Sequence, residues 1–210
     1  MSFPPEDISV TVSKIAEILR SRNQTLAISE AACGGLISAY IVSVPGASDF
    51  YIGGKLLYSL KQRLKLSGWS QDEIANYMGP SEEVALKLAR TAKYELGSTF
   101  VLSETGFAGP TMDLHLNDDD DGNDEEQVRD TRPSLVGHVF IGFTGPRGDS
   151  STSVETGIHN RAQNMSQFAK FALEFLLDQL QKDEVVNEHG HGQSTQTAPL
   201  EARLVSDDAR

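Results

Sequence analysis

The chain has 210 residues, a formal net charge of −12 and 39% apolar residues, which suit one folded domain or two small ones. The acidic balance argues against binding to nucleic acids or anionic membranes, and a single cysteine excludes an internal disulfide and a zinc site of several cysteines. No apolar run reaches the roughly 20 residues that span a bilayer. The acidic N-terminus lacks the apolar core of a signal peptide, so we expect a soluble, cytoplasmic protein.

Helical and strand patterns alternate along the chain, which is the signature of an α/β fold. In chain order the predicted elements are a helix (7–22), a strand (25–28), a helix (34–44), a strand (50–58), short helices (60–67 and 70–78), a helix (81–96), strands (99–102, 136–143 and 154–157) and a long helix (160–181). Ser81 is the predicted N-cap and Gly97 the predicted end of its helix. Gly53-Gly54 indicates a bulge or a close approach of two backbones.

We predict a single α/β domain over residues 7–182, with helices around a mixed, mostly parallel sheet. Seven acidic side chains fall within the nine residues 118–126, and the surrounding segment 112–131 has no apolar period, which predicts a disordered acidic insert. Without those seven charges the net charge is −5, so the acidity belongs to a loop more than to the fold. The polar residues 183–210 are predicted to form a disordered tail.

Two short motifs indicate a site at the ends of strands. Ser29-Glu30 and Ser103-Glu104 each follow a short apolar strand and precede a glycine turn. Ligands of open α/β sheets bind at the carboxyl ends of strands, so neighbouring strands would direct both carboxylates into one crevice. There they are candidates for general acid–base catalysis. The alternative is structural, with each glutamate capping the N-terminus of a nearby helix or pairing with a lysine.

Cys33 is the only thiol and precedes Gly34-Gly35 at the predicted start of a helix. A helix N-terminus favours negative charge, which makes Gly34 and Gly35 candidates for binding an anionic substrate and Cys33 a candidate nucleophile. Against this, no histidine lies nearby in sequence to act as its base, and a lone cysteine is commonly a small buried apolar residue. Both interpretations stay open.

The loop after the second of these glutamates is rich in glycine. Its residues Thr105, Gly106 and Gly109 are candidates for binding a phosphate or carboxylate through backbone N–H groups, although a plain turn fits the same residues. Tyr58 is the last residue of the predicted strand 50–58 and is placed to reach the same crevice. Arg161 begins the last helix, where a cation opposes the helix dipole unless an anion lies close by.

Several of these residues belong to motifs that occur in a fixed order. The motifs are Glu30 with Gly34-Gly35, Pro45-Gly46-Ala47-Ser48, Tyr58-Ser59, Gly79-Pro80-Ser81-Glu82-Glu83-Val84-Ala85, Thr105-Gly106-Phe107-Ala108-Gly109-Pro110, Val136-Gly137-His138-Val139 and Arg161. Over about residues 8–180, outside the acidic insert, this series resembles the CinA C-terminal domain family of competence/damage-inducible proteins, the nicotinamide mononucleotide deamidases. The shared order is far more specific than any single motif.

The resemblance implies an activity and its residues. The family hydrolyses the carboxamide of nicotinamide mononucleotide, releasing ammonia and leaving nicotinic acid mononucleotide, with a serine nucleophile assisted by a tyrosine and an arginine. Between the matching positions Glu30 and Gly34, the nucleophile's position holds Ala31, which has no attacking oxygen. Tyr58 and Arg161 match the family's tyrosine and arginine. The resemblance further implies a pyridine nucleotide as small-molecule ligand and a homo-oligomer.

Three functional hypotheses follow. The first is an amidase-like enzyme or relic, whose attacker is Cys33 or a water activated by Glu30 or Glu104. The second is a nucleotide-binding or scaffold protein without catalysis. The third is hydrolysis of another amide or nucleotide, with Glu30 and Glu104 as acid and base. We expect no cofactor and no metal, because the histidines lack ligand spacing, and we expect the residues near 30, 58, 105 and 161 to line one hollow.

Overall fold

The computed structural model describes residues 3–110 and 135–190, the last eight of these by their backbone. The elements are, in chain order, α1 (Glu6–Ser21), β1 (Leu26–Glu30), α2 (Leu36–Val42), β2 (Tyr51–Leu56), α3 (Leu60–Lys65), α4 (Gln71–Ala75), α5 (Glu82–Leu96), β3 (Phe100–Gly106), β4 (His138–Gly145), β5 (Gly148–Glu155) and α6 (Arg161–Gly190). A single 3-10 turn, Ala47–Asp49, precedes β2. The order of helices and strands is the predicted one.

The strands form a five-stranded sheet in the order β2-β1-β3-β4-β5. β1 pairs in parallel with β2 and β3, whereas β4 is antiparallel to β3 and β5. The sheet is mixed, as predicted, but parallel pairs make up half of it rather than most of it. The reason lies in the two-residue turn Pro146-Arg147 between β4 and β5, because only antiparallel neighbours are joined so tightly.

Helices cover both faces of the sheet. α1, α2 and α6 pack together on one face, and α5 packs on the other. Successive residues of a strand point to opposite faces of the sheet. Leu26 and Ile28 therefore face the layer of α1, α2 and α6, whereas Ala27 faces α5. The same alternation turns Glu30 at the end of β1, and Glu104 near the end of β3, towards the α2 side. Because β1 and β3 are parallel, both glutamates lie at the same end of the sheet, where these two strands have their carboxyl ends.

The Gly53-Gly54 pair in β2 was predicted to mark either a bulge or a close approach of two backbones, and the structure has both here. The register between β1 and β2 shifts between Leu26 and Ala27, which is a bulge. A Cβ atom on Gly54 would overlap the backbone carbonyl oxygen of Ile28, so the two strands also approach closely at this point.

The limits of α5 follow its predicted caps. The Ser81 hydroxyl accepts a hydrogen bond from the Val84 N–H group at 3.2 Å. At the other end Gly97 takes a left-handed conformation with φ of 69°, which a residue with a side chain rarely adopts. Both signals are local, and for that reason they could be identified from sequence alone.

The last helix is longer than predicted. It was expected to end near residue 181 and to be followed by a tail over 183–210, but the backbone stays helical to Gly190. The chain has no glycine or proline between 161 and 189, and polar composition by itself does not end a helix. Residues 191–210 of the predicted tail and the predicted insert at 112–131 lie outside the described residues, so their disorder stays a prediction.

Candidate functional site

The carboxylate of Glu30 occupies the N-terminus of α2. Glu30 is the last residue of β1, and its side chain is 2% exposed. Its oxygens accept hydrogen bonds from the backbone N–H groups of Gly35 (3.0 Å), Ile37 (3.0 Å) and Ser38 (2.7 Å), and from the Ser38 hydroxyl (2.5 Å). These backbone groups have no partner within the helix. The negative charge expected at this helix terminus is therefore supplied by Glu30 itself rather than by a ligand.

Glu104 ties the following turn to β3. Its buried carboxylate accepts hydrogen bonds from the backbone N–H groups of Ala31 (3.0 Å) and Cys33 (3.1 Å). Burial raises the pKa of Glu104, and the two N–H groups act in the opposite direction. Like Glu30, this side chain holds backbone in place. The arrangement agrees with the structural interpretation of the two glutamates and does not support their use as an acid–base pair.

Cys33 is unsuited to nucleophilic attack. Its side chain is completely buried, and its Sγ donates to the Met165 carbonyl oxygen at 3.8 Å. Burial, together with the negative charges of Glu104 and Glu30, raises the pKa of the Cys33 thiol well above its usual value. The expected activation by the helix terminus is absent because the Glu30 carboxylate lies there. Ala31, at the position of the family's nucleophile, is likewise buried and carries only a methyl group.

Gly34 and Gly35 shape the turn between β1 and α2. Both take left-handed conformations, with φ of 65° and 96°. A Cβ atom on Gly34 would touch the Met165 side chain, and one on Gly35 would touch Leu56, each at 3.4 Å. The turn thus packs between α6 and the end of β2. The N–H group of Gly35 is bound to Glu30, so this group is not free to bind an anion, and substrate contact by the two glycines stays a prediction.

Tyr58, Gly109 and Arg161 come together from distant parts of the chain. An Nη1–H of Arg161 donates to the Gly109 carbonyl oxygen at 2.5 Å, and an Nη2–H donates to the Tyr58 hydroxyl. The guanidinium carbon lies 5.8 Å from the centre of the Tyr58 ring, which is 62% exposed. The two acceptors are a carbonyl oxygen and a hydroxyl oxygen rather than a carboxylate, so the guanidinium keeps its attraction for an anion. Arg161 lies one helical turn before Met165, which packs on Gly34, and so on the same side as the glycine turn.

The glycine-rich loop after β3 differs from the prediction. Gly106 belongs to β3 itself, where a Cβ atom would overlap the carbonyl oxygen of His138, and the Phe107 N–H group donates to that same oxygen at 2.9 Å. The Phe107 N–H group is therefore held by the sheet and not presented to an anion, whereas Gly109 contributes its carbonyl oxygen to the hydrogen bond with Arg161. Thr105 is fully buried, and its Oγ1 has no hydrogen-bond partner among the described residues.

Comparison with known proteins identifies this architecture. The profile of the CinA C-terminal domain matches residues 9–117, which is more than half of the chain. The chain belongs to the CinA C-terminal domain family. A CinA-like protein of Desulfosudis oleivorans is 30% identical over 164 residues, covering 78% of this chain and 36% of that protein. A CinA-like protein of Nostoc punctiforme is 33% identical over 143 residues, covering 68% and 30%. The chain thus spans about a third of the length of these curated relatives.

Solved structures of CinA proteins share the fold. The competence/damage inducible protein CihA from Agrobacterium tumefaciens superposes with a TM-score of 0.69 at 22% identity, over 85% of this chain and 98% of that one. A CinA superfamily protein from Enterobacter cloacae gives a TM-score of 0.68 at 18% identity, over 86% and 98%. The mixed five-stranded sheet with its helices is therefore a CinA fold.

One charged residue of this CinA domain escaped the sequence analysis. Arg63 lies in α3, five residues after Tyr58, and is only 8% exposed. Its positive charge acts on the carboxyl of Glu104, where it opposes the effect of burial on the pKa. Arg63 stands among Lys61, Gln62 and Lys65, a composition typical of an exposed helix. The only hint in the sequence is the position of Arg63. It lies four residues after the N-cap Ser59, one turn into a helix that begins soon after a strand ends.

The described residues of this CinA domain offer neither a cluster of metal ligands nor a helix that could span a membrane. Within 3–110 and 135–190, no group of three histidine, cysteine, aspartate or glutamate side chains is arranged to hold a metal ion. In the same ranges, no helix combines the length and the apolar character needed to cross a bilayer.

Proposed function

We propose that this CinA domain is a nicotinamide-mononucleotide amidase-like protein that binds a pyridine nucleotide but has lost the covalent hydrolysis of its carboxamide. The observation that carries the proposal is Ala31. Its side chain is a buried methyl group, and its N–H group is bound to Glu104, at the position where the resemblance implies an attacking oxygen. Loss of a nucleophile typically costs several orders of magnitude in rate.

No neighbouring group is suited to replace the missing oxygen. The Cys33 thiol is buried and its pKa is raised, so a thiolate is disfavoured. The carboxylates of Glu30 and Glu104 accept hydrogen bonds from five backbone N–H groups between them, which leaves them poorly placed to take a proton from water. Hydrolysis of a different amide by these two glutamates, the third hypothesis, meets the same obstacle.

The features that support binding are better preserved than those that support chemistry. Arg161 presents a cation beside the hydroxyl group of Tyr58, an exposed residue. Both follow the carboxyl ends of strands, which is where α/β folds bind ligands. A guanidinium in this position is suited to the phosphate of a mononucleotide, because its planar fork matches phosphate oxygens. The aromatic ring of Tyr58 offers a face on which a pyridine ring can stack.

Thermal denaturation with and without nicotinamide mononucleotide tests binding. Ligand at about 100 times its Kd stabilises a protein by about 2.7 kcal/mol, which for a domain of this size raises Tm by roughly 5–11 °C. Arg161→Ala is expected to reduce the affinity about 10–100-fold, since charge-assisted hydrogen bonds contribute about 1.5–3 kcal/mol. Arg90→Ala is the matched control, because Arg90 is an exposed cation that pairs with Asp149 on the opposite part of the sheet.

Release of ammonia from the same nucleotide tests the loss of chemistry. We expect no release from the purified protein at the roughly 1–10³ per second typical of enzymes. Ala31→Ser restores the hydroxyl while Tyr58 and Arg161, the groups that would assist it, are retained. We therefore expect this variant to regain measurable release of ammonia that the natural sequence lacks. Enzyme-like turnover by the natural sequence would contradict the proposal, and so would a nucleotide shift in Tm that persists unchanged in Arg161→Ala.

A further inference from the structure

Asn164 is a fully buried polar residue of α6. It lies three residues after Arg161, so the two side chains are neighbours on the surface of the helix at its start. Buried polar side chains are nearly always held by hydrogen bonds, and their partners indicate what they do. Among the described residues, the side chain of Asn164 has three partners, and all of them lie in loops.

The amide of Asn164 joins two loops. Its Nδ2 hydrogens donate to the Ala108 carbonyl oxygen at 3.1 Å and to the Ile158 carbonyl oxygen at 2.9 Å. Its Oδ1 accepts a hydrogen bond from the Thr156 hydroxyl at 2.6 Å. Carbonyl oxygens only accept hydrogen bonds, so the NH₂ group has to face them and the orientation of the amide is fixed. Asn164 therefore connects the loop after β3 with the loop that leads into α6.

Further hydrogen bonds hold these loops against each other. The Ile158 N–H group donates to Thr156 Oγ1 at 3.1 Å. The Thr156 N–H group donates to the Gly137 carbonyl oxygen at 3.0 Å, and the Gly137 N–H group donates to the Phe107 carbonyl oxygen at 2.8 Å. A Cβ atom on Gly137 would lie only 2.7 Å from Thr156 Oγ1. The loops around the Asn164 amide thus have little room for another arrangement.

The loop after β3 also carries an acceptor of Arg161. The carbonyl oxygen of Gly109, the residue after Ala108, accepts from an Nη1–H of Arg161 at 2.5 Å. Two consecutive carbonyl groups are therefore bound by two side chains from the start of α6, one by Asn164 and the other by Arg161. The position of the Gly109 oxygen, and with it the direction of the guanidinium, depends on the Asn164 amide.

We propose that Asn164 is a positioning residue for Arg161, which directs the guanidinium towards the phosphate of the ligand by fixing the carbonyl oxygen to which it donates. The identity of the ligand rests on the proposed function above. An arginine side chain has many rotamers, and a fixed acceptor removes part of the entropy cost of ordering it when an anion binds. Asn164 itself is completely buried, so it acts through Arg161 and not by contact with the ligand.

Isothermal titration with two ligands that differ only in the phosphate tests this role. Asn164→Leu replaces the amide with an apolar side chain of similar size. It is expected to weaken the binding of nicotinamide mononucleotide about 3–10-fold, the effect of immobilising one flexible side chain, and that of nicotinamide riboside less than about 2-fold. An equal loss of affinity for both ligands overturns the inference, because general damage to the fold predicts it.

A double-mutant cycle tests whether the effect passes through the guanidinium. In the background of Arg161→Ala, Asn164→Leu has no guanidinium to misplace. It is then expected to change the affinity for nicotinamide mononucleotide by less than about 2-fold, since only coupled residues give non-additive effects. Additive effects of the two substitutions overturn the inference.

Thr99→Val is the matched control for loss of a hydrogen-bonded polar side chain. The Thr99 hydroxyl accepts from the Thr25 N–H group at 3.0 Å, just before the amino end of β3 and so at the opposite end of that strand from Arg161. This control is expected to lower Tm and to leave the ratio of the two affinities unchanged. A ratio that changes as much in Thr99→Val as in Asn164→Leu overturns the inference.

Thr156→Val keeps the test decisive if Asn164→Leu fails to fold. It preserves the shape of the side chain and removes the hydroxyl that binds Asn164 Oδ1. The same selective loss for nicotinamide mononucleotide is expected, but smaller, at about 2–5-fold, because a single hydrogen bond is removed and the amide stays. If only Thr156→Val folds and its affinities equal those of the natural sequence, the inference is wrong.

The mobility of Arg161, measured without ligand, separates the inference from the proposed function. The Nε–H signal of Arg161 can be followed by ¹⁵N relaxation and assigned by its loss in Arg161→Lys. The natural sequence is expected to give an order parameter near about 0.8, and Asn164→Leu one below about 0.6. If neither ligand binds, the proposed function fails, and this measurement still decides the inference. An order parameter that is unchanged in Asn164→Leu and in Thr156→Val overturns it.

Discussion

Glu30 illustrates how a side chain can take the place that the helix N-terminus offers to a ligand. The sequence predicted negative charge at the start of α2, and the charge is there, but it belongs to the protein. Its four hydrogen bonds join the end of β1 to the first turn of α2. A strand end, a glycine turn and a helix start therefore do not by themselves show an open anion site, because the residue before the turn can fill it.

Replacement of Glu30 by glutamine tests this role. The amide NH₂ of glutamine would face backbone N–H groups that need an acceptor, so we expect Glu30→Gln to lower the free energy of unfolding by about 2–4 kcal/mol. Chemical denaturation measures the change. Glu17→Gln is the control, because Glu17 lies on the exposed side of α1, and its effect is expected to stay within about 0.5 kcal/mol. A comparably small effect for Glu30→Gln would contradict the role assigned to its carboxylate.

The environment of Cys33 predicts its reactivity. A raised thiol pKa and complete burial both slow alkylation, since the thiolate is the reactive species. Native protein treated with iodoacetamide at pH 8 is expected to stay unmodified over an hour, and protein unfolded in guanidinium is expected to be labelled once per chain. Mass spectrometry distinguishes the two. Rapid labelling of the native state would instead restore Cys33 as a candidate nucleophile.

The sequence was a better guide to which residues belong to the site than to the surroundings of each side chain. The positions of Tyr58 and Arg161 in ordered motifs led correctly to their meeting in space. Arg63 was missed, because its burial depends on the packing of α3 against α5, and neighbouring lysines suggested an exposed helix. The sequence also gave no means to decide whether Glu30 and Glu104 point at a ligand or at backbone N–H groups.

Among the elements, the short helix α4 is fixed by two interactions of one side chain. Glu73 accepts a hydrogen bond from the Ser70 N–H group at 2.8 Å, as part of a capping box, and forms an ion pair with Lys87 of α5. Lys87 also lies over the Trp69 ring, 4.3 Å from its centre. The hydrogen bond from Lys87 and those of the cap lower the pKa of Glu73 to about 2. α4 is thereby attached to α5 through charge as well as apolar packing.

This lowered pKa makes part of the stability depend on pH. The folded pKa of Glu73 lies below its usual value of 4.5, so its contribution is present above pH 4.5 and is lost as the pH falls towards 2. Glu73→Gln should therefore flatten the fall in denaturation midpoint between pH 4.5 and 2. Lys87→Gln should flatten it similarly, and 1 M salt should weaken the difference because the pair is exposed. If the denaturation midpoint falls equally between pH 4.5 and 2 in the natural sequence, Glu73→Gln and Lys87→Gln, the ion pair contributes nothing to stability.

For the whole molecule, periodicity and caps were sufficient to predict a single α/β architecture with its helices and strands in the right order. Those signals are local, and each element carries them in its own residues. The strand order, and the equal share of parallel and antiparallel pairs, depend on contacts between distant segments and could not be derived in the same way. The turn Pro146-Arg147 was the available hint, because a two-residue connection requires antiparallel neighbours.

Association between copies stays a prediction that rests on the family resemblance. The edge strand β2 gives it a physical basis, since Ile52 and Leu56 are about half exposed at an edge of the sheet. Sedimentation equilibrium is expected to give a mass that is a multiple of 22.8 kDa. Ile52→Lys, which places a charge on that strand, should shift the equilibrium towards the single chain. A mass of one chain at micromolar concentration would contradict the prediction.

The two carboxylates that hold residues 31–38 have a consequence for the dynamics of the turn between β1 and α2. Loops rich in glycine commonly exchange their amide hydrogens quickly, but here the amides of Ala31, Cys33, Gly35 and Ile37 are bound to buried acceptors. They should exchange with deuterium as slowly as those of the central strands. A molecule arriving at such a rigid surface loses little entropy to loop ordering, so tight association needs few direct contacts.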